Sequence, residues 1–210
     1  QPHLKDRVPH VENVNGDLVW MAEGAVLAPV GFGLGSEETS PGVVHRDKRM
    51  VEAGFYKEAE QFIYHPTTPE LRIKDQDTDG VDAEVIYGLS FGPENMGDPE
   101  VRGEAYRIYN DWVADFYHSN PQRFAALSCV PHHSPEIAAN ELRRTAKLGL
   151  KGVELRVGLA SIPIFDPKWD VLWAASDECN MPISFHIQGM APKTPIPQDL
   201  DALGDIYWSV

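Results

Sequence analysis

GVELRV, residues 152–157, decides the fold. Val153, Leu155 and Val157 alternate with Glu154 and Arg156, and successive side chains of a strand leave opposite faces. One face is thus apolar, while the other sets a carboxylate beside a guanidinium. A doubly wound sheet buries both faces under apolar helices and tolerates such a pair poorly. A (β/α)8 barrel has a lumen whose carboxyl-terminal end is polar and holds the chemistry. The strand therefore predicts an α/β chain of the TIM-barrel kind. PISFHIQG, residues 182–189, repeats the pattern, with Ser184 and His186 on one face and Ile183, Phe185 and Ile187 on the other.

The alternation extends over residues 81–188. AEVIYG (83–88) and FAALSCV (124–130) read as two further strands, ahead of GVELRV and PISFHI. Asp98-Pro99, Ser134-Pro135 and Asp166-Pro167 each supply an N-cap followed by a first-turn proline. The helices they open carry inward-spaced residues: Val101, Ala105, Ile108, Trp112 and Phe116, then Ala138, Leu142 and Ala146, then Trp169, Leu172, Trp173 and Ser176. Gly149 suits a helix C-cap. Strands alternating with helices of this length predict a parallel sheet. Four strands make about half a barrel, with Phe185 and Ile187 filling core sites beneath the helices and Ser184 and His186 facing the lumen.

Residues 1–80 read as loop-rich, with strand-like pieces only at 18–20 and 25–27. GFGLG (31–35) matches no phosphate-binding spacing and reads as a loop. DQDTDG (75–80) starts like a calcium loop, but Ile86 stands where a bidentate glutamate is needed. A solvated turn before the strand is the expectation there. Residues 189–210 read as a loop and the start of another helix, begun near Pro197 and stopping at DIYWSV. With Gln1 at the other end, this predicts a piece of a longer, single barrel domain.

Composition excludes several classes. At 210 residues the chain can bury one sizeable core, and 42% hydrophobic with 24% charged residues is ordinary for a globular protein. A formal net charge of −14 argues against nucleic acid as a partner. No apolar run approaches the ~20 residues of a membrane span, and the opening residues do not read as a secretory signal. Cys129 and Cys179 have neither disulfide nor metal spacing, so they read as buried free thiols in a cytoplasmic setting.

The histidines carry the chemistry. VPHHSPE (130–136) puts His132 and His133 directly after a strand, on the rim where barrel active sites lie. Adjacent residues of an extended chain point apart, so at most one faces the centre; a polar loop ahead of a helix cap is the alternative. His186 is either a hydrogen-bonded core residue or a ligand. Asn110, in mid-helix, reads as a structural hydrogen-bonding group. No His-Glu-x-x-His helix occurs.

The succession DQDTDGVDAEVIYG, YRIYNDWVADFYHSNPQRFAALSCVP, AANELRRTAKLGLKGVELRV and DPKWDVLWAASDECNMPISFHIQG, with LKDRVPHVE near the start, resembles one family. It is similar to the amidohydrolase-related metal-dependent hydrolases and decarboxylases, the group that includes aminocarboxymuconate-semialdehyde decarboxylase. The resemblance implies a barrel with a divalent metal, usually zinc, at the carboxyl ends of the strands. It implies a His-x-His pair on the first strand, one histidine each on the fifth and sixth, and an aspartate on the eighth. The strands present are then the second to fifth, and His186 takes the fifth-strand ligand position. No His-x-His strand precedes LKDRVPH, and the other two positions would lie beyond Val210.

Such a metal would lower the pKa of bound water toward ~7 for hydrolysis. Alternatively, it would hold a carboxylate or phenolate oxygen during non-oxidative decarboxylation. Hydrolysis of a small, cyclic or aromatic carboxylic substrate is the expectation, decarboxylation on the same scaffold the alternative, and a truncated barrel without activity the non-enzymatic rival. Glu154, Arg156, His132 and Gln188 are expected to line the substrate pocket. Arg156 would either meet an anionic substrate or pair with Glu154. The partner is a small molecule, and the unpaired edges of a part barrel favour self-association into a homo-oligomer. A catalytic zinc takes three protein ligands and a water. With His186 alone assigned, the 210-residue chain by itself is expected to hold zinc weakly and to show no turnover.

Overall fold

The computed structural model describes residues 2–30, 38–40, 43–44, 52, 57–58, 61, 63–88 and 96–186. The chain divides into two compact units, residues 1–82 and 83–210.

In the first unit, β1 (His10–Val14), β2 (Asp17–Ala22) and β3 (Ala25–Pro29) form an antiparallel sheet in that order. Two tight hairpins build it. Asn15, Gly16, Glu23 and Gly24 have φ values of 55°, 103°, 50° and 76°, and positive φ at both central residues is what a type I′ turn requires. Asn-Gly is the sequence signature of that turn, so this segment is more regular than a loop-rich reading allows. A short antiparallel pair follows, β4 (Glu38–Ser40) with β5 (Val43–Val44). DQDTDG is a second correction, because it ends a helix, α1 (Pro69–Asp79), which Gly80 closes at φ 72°. Proline in the first turn and glycine after the last are helix punctuation, which the regular acidic spacing obscures. GFGLG lies outside the described residues.

The second unit carries the barrel. β6 (Glu84–Ile86), β7 (Phe124–Cys129), β8 (Gly152–Leu155) and β9 (Ile183–Phe185) pair in parallel in that order. Between them run α2 (Pro99–Ser119), α3 (Pro135–Lys147) and α4 (Asp170–Cys179). The three caps form as the sequence predicts: Asp98 accepts from Glu100 N, Ser134 from Ile137 N and Asp166 from Lys168 N. Gly149, at φ 85°, turns the chain out of α3.

The inward stripe of α2 departs from its expected course. Val101, Ala105 and Phe116 are buried, but Ile108 and Trp112 are 42% and 41% exposed. The buried face instead takes in Tyr106, Asn110, Val113 and Tyr117. Asn110 explains the rotation. Its Nδ2 donates to Cys129 O, and Cys129 N donates to its Oδ1, each at 2.8 Å, so the side-chain amide pairs with β7 as a strand would.

Strand register fixes the two faces of the sheet. Cys129, Glu154 and Ser184 lie in one row across β7, β8 and β9. Val153 and Leu155, pointing the other way, are fully buried, and Phe116 of α2 packs on Phe124 with ring centroids 5.0 Å apart. Helices therefore cover the apolar face. Phe185 shares the row of Leu155 yet is 57% exposed, which overturns its expected place in the core. β9 ends the described sheet, and an edge strand has fewer neighbours over its outer face. Ile187 and residues 189–210 lie outside the described residues. The sheet curls: Tyr87, just after β6, hydrogen-bonds Ser184 of β9 at 2.6 Å, past the two strands between them. This is part of a (β/α) barrel. None of the described helices is long and apolar enough to cross a membrane.

Candidate active site

Polar groups gather where the four strands end. Glu154 and Arg156 are 1% and 4% exposed, and Arg156 Nε donates to Glu154 Oε1 at 2.7 Å. The second carboxylate oxygen, Oε2, accepts from Gly88 N at 2.5 Å, joining β8 to the end of β6. A Cβ at position 88 would strike Cys129 Sγ and stand 3.0 Å from Glu154 Oε2, so only glycine fits there. A buried ion pair is tolerated when its remaining hydrogen-bonding capacity is also met. Here the backbone of Gly88 helps to meet it.

His132 belongs to the same network. It is buried, and its Nε2 accepts from Arg156 N at 2.9 Å. The neutral ring then carries its proton on Nδ1 and donates to Tyr106 Oη, also at 2.9 Å. Burial, followed by the charges of Arg156 and His133, lowers its pKa from 6.5 to about 3. His132 is a neutral tie between α2, the end of β7 and the end of β8. The ring nitrogens of His133 are buried without a hydrogen-bond partner, while its carbonyl accepts from Ser161 Oγ at 3.1 Å.

The structure thus brings Glu154, Arg156 and His132 together, but with polar atoms turned on one another and closed off from solvent. Gln188 lies outside the described residues. His186 stands differently. Half-buried at the end of β9, it donates its backbone N–H to Leu155 O at 2.9 Å. Its Nδ1 is buried and has no hydrogen-bond partner. Beside it, on the lumen side, are Ser184 and the ring of Tyr87, which is 47% exposed.

Tyr87 escapes the sequence reading, although a signal for it exists. Val85 pairs with Ala125, so alternation carries Tyr87 onto the lumen face at the mouth of its strand. Among the described residues, no group of three or more His, Cys, Asp and Glu side chains is placed to hold a metal. His186 fits as one ligand: an imidazole at a strand's carboxyl end, with a buried nitrogen that protein groups leave unsatisfied.

Comparison with known proteins agrees with this geometry. The amidohydrolase family model matches residues 61–205. The chain is 24% identical over 152 residues to 2-amino-3-carboxymuconate-6-semialdehyde decarboxylase of Dictyostelium discoideum, covering 72% of this chain and 42% of that protein. It is 25% identical over 137 residues to gamma-resorcylate decarboxylase of Rhizobium radiobacter, covering 62% and 40%. The chain therefore spans less than half the length of these curated relatives. Among solved structures, 5-carboxyvanillate decarboxylase of Novosphingobium aromaticivorans, complexed with manganese and 4-hydroxy-3-methoxy-5-nitrobenzoic acid, superposes with a TM-score of 0.57. Its identity is 26%, over 78% of this chain and 49% of that one. An amidohydrolase from Mycobacterium avium subsp. paratuberculosis shares the fold over 99% of this chain and 60% of its own, with a TM-score of 0.65 and 15% identity. Parallel strands under helices, a histidine at a strand's carboxyl end and a family match across most of the sequence lead to one conclusion: the chain belongs to the amidohydrolase family.

Proposed function

We propose that this chain is part of a metal-dependent, non-oxidative decarboxylase of a small aromatic or related carboxylic acid, with His186 as one metal ligand. The observation that carries the reading is the likeness, along 62–72% of the chain, to relatives named as decarboxylases. Decarboxylation thereby takes precedence over the hydrolysis expected from sequence. The manganese in the 5-carboxyvanillate decarboxylase structure supports a divalent metal and sets manganese beside zinc as the ion to test.

A bound metal would supply a Lewis-acid contact for the oxygens of the acid. The other contributions come from this chain's own residues. His186 offers a ring nitrogen at the carboxyl end of β9. The Glu154–Arg156 pair and His132 hold the strand ends in fixed register, giving the ligand a rigid rim. Lining the pocket, the role first expected of Glu154, Arg156 and His132, passes in this reading to Tyr87 and Ser184, whose hydroxyls face the lumen. The remaining ligands are to be sought outside the described residues.

Decarboxylation exchanges a carboxylate for a proton and releases carbon dioxide; hydrolysis consumes water and releases none. Full-length protein carrying this sequence, loaded with manganese or zinc, should release carbon dioxide from 2,6-dihydroxybenzoate or 5-carboxyvanillate. Ester or lactone hydrolysis without carbon dioxide release from any aromatic acid would overturn the proposal in favour of a hydrolase.

A further inference from the structure

A histidine that binds a metal through one nitrogen usually donates its other N–H to a carboxylate, a carbonyl or a water, which fixes the ring. Among the described residues no group hydrogen-bonds either ring nitrogen of His186, and its Nδ1 is buried. The imidazole instead meets the ring of Tyr87 edge-on, with centroids 6.2 Å apart and planes at 61°. Tyr87 comes from the far side of the described sheet, beyond β6, and its ring is held at both ends. The backbone fixes one end, and the hydrogen bond at 2.6 Å between its Oη and Ser184 Oγ fixes the other. Ser184 precedes His186 by two positions, and strand alternation puts both side chains on one face. The same strand therefore carries the ligand and the peg that holds the brace against it.

We infer that Tyr87, pinned by Ser184, is the positioning residue that orients His186 for its metal; this rests on the reading of His186 as a ligand. Contact with a fixed ring does here what a hydrogen-bond acceptor at the second ring nitrogen does elsewhere. Groups that orient a ligand by hydrogen bonding typically change metal affinity ~10–100-fold when removed, and a comparable loss is expected of the ring here. Two consequences separate this role from simple packing. Removing only the hydroxyl, in Tyr87→Phe, should weaken the metal while leaving the thermal midpoint nearly unchanged. Tyr87→Phe and Ser184→Ala remove the same bond, so the double variant should bind no worse than the weaker single one.

The test is equilibrium dialysis of manganese against the full-length protein, with thermal melts in parallel. The set is wild type, Tyr87→Phe, Tyr87→Ala, Ser184→Ala, the Tyr87→Phe/Ser184→Ala double variant and His186→Ala. The expected result is a loss of ~10–100-fold in Tyr87→Ala, smaller and non-additive losses in the hydroxyl variants, and no manganese in His186→Ala. Should Tyr87→Ala fail to fold, Tyr87→Phe alone decides. If His186→Ala abolishes binding while Tyr87→Phe and Tyr87→Ala bind as wild type, the inference is overturned and the ligand reading survives. If His186→Ala binds as wild type, both are overturned.

Discussion

β8 and β9 are neighbours with nearly the same pattern, apolar residues alternating with a polar pair, and they put that pair to opposite uses. In GVELRV the polar residues are sealed. Glu154 and Arg156 bond to each other, to Gly88 and to His132, and almost none of their surface reaches solvent. In PISFHI the histidine is left open. Ser184 and His186 are half-buried, and a ring nitrogen of His186 goes unsatisfied. Alternation reveals which residues face a lumen. Between these two strands, what separates framework from working group is whether the ionisable side chain already has partners.

The largest effect should come from breaking the sealed pair. Glu154→Ala removes the carboxylate paired with the buried Arg156 guanidinium and should cost ~3–5 kcal/mol. Urea denaturation measures it, and a loss under 1 kcal/mol would show that β8 is not the framework. The next comparison sets Leu155 against Phe185, which lie opposite each other in the register. Leu155→Ala empties a fully buried site and should cost ~2–5 kcal/mol, whereas Phe185→Ala should cost less than about 1, since Phe185 is 57% exposed. Equal losses would mean that the edge strand is as well covered as the centre.

Acid should act on the sealed side too. His132 titrates at about 3 in the folded chain against 6.5 in the unfolded one, so the unfolded state binds the extra proton between those values. Its neutral form thus contributes stability that is fully present above pH ~6.5 and lost as pH falls toward 3, by at most ~1.4 kcal/mol per pH unit. The stability gap between wild type and His132→Gln should therefore narrow from pH 7 to pH 4.5, as followed by urea midpoints. A constant gap would deny the depressed pKa. The smallest effect is expected at Ser184→Ala, within ~0.5 kcal/mol of wild type in stability, as for a half-exposed site with one hydrogen bond.

Much of the barrel is legible in the sequence because its signals are local. Period-two alternation and the three N-cap–proline pairs need only neighbours in the chain, and strands and helices fall where these signals place them. Signals that depend on distant partners are not legible. The burial of His132 depends on a backbone N–H 24 residues away and on Tyr106, 26 residues back. Tyr87 meets Ser184 across 97 residues. The helical stripe of α2 is rotated by Asn110 reaching for β7, a demand invisible to periodicity. α1 and the β1–β2 hairpin are the reverse case: Pro69, Gly80 and Asn15-Gly16 are local signals, overshadowed by composition and by the calcium-like acidic spacing.

The central claim is that the open histidine, not the sealed one, holds the metal. Metal content after exhaustive dialysis, in the full-length protein and its His186→Ala and His132→Gln variants, tests it most directly. The account predicts about one divalent ion per chain in wild type and in folded His132→Gln, and none in His186→Ala. An ion retained by His186→Ala, or lost from a folded His132→Gln, would contradict it.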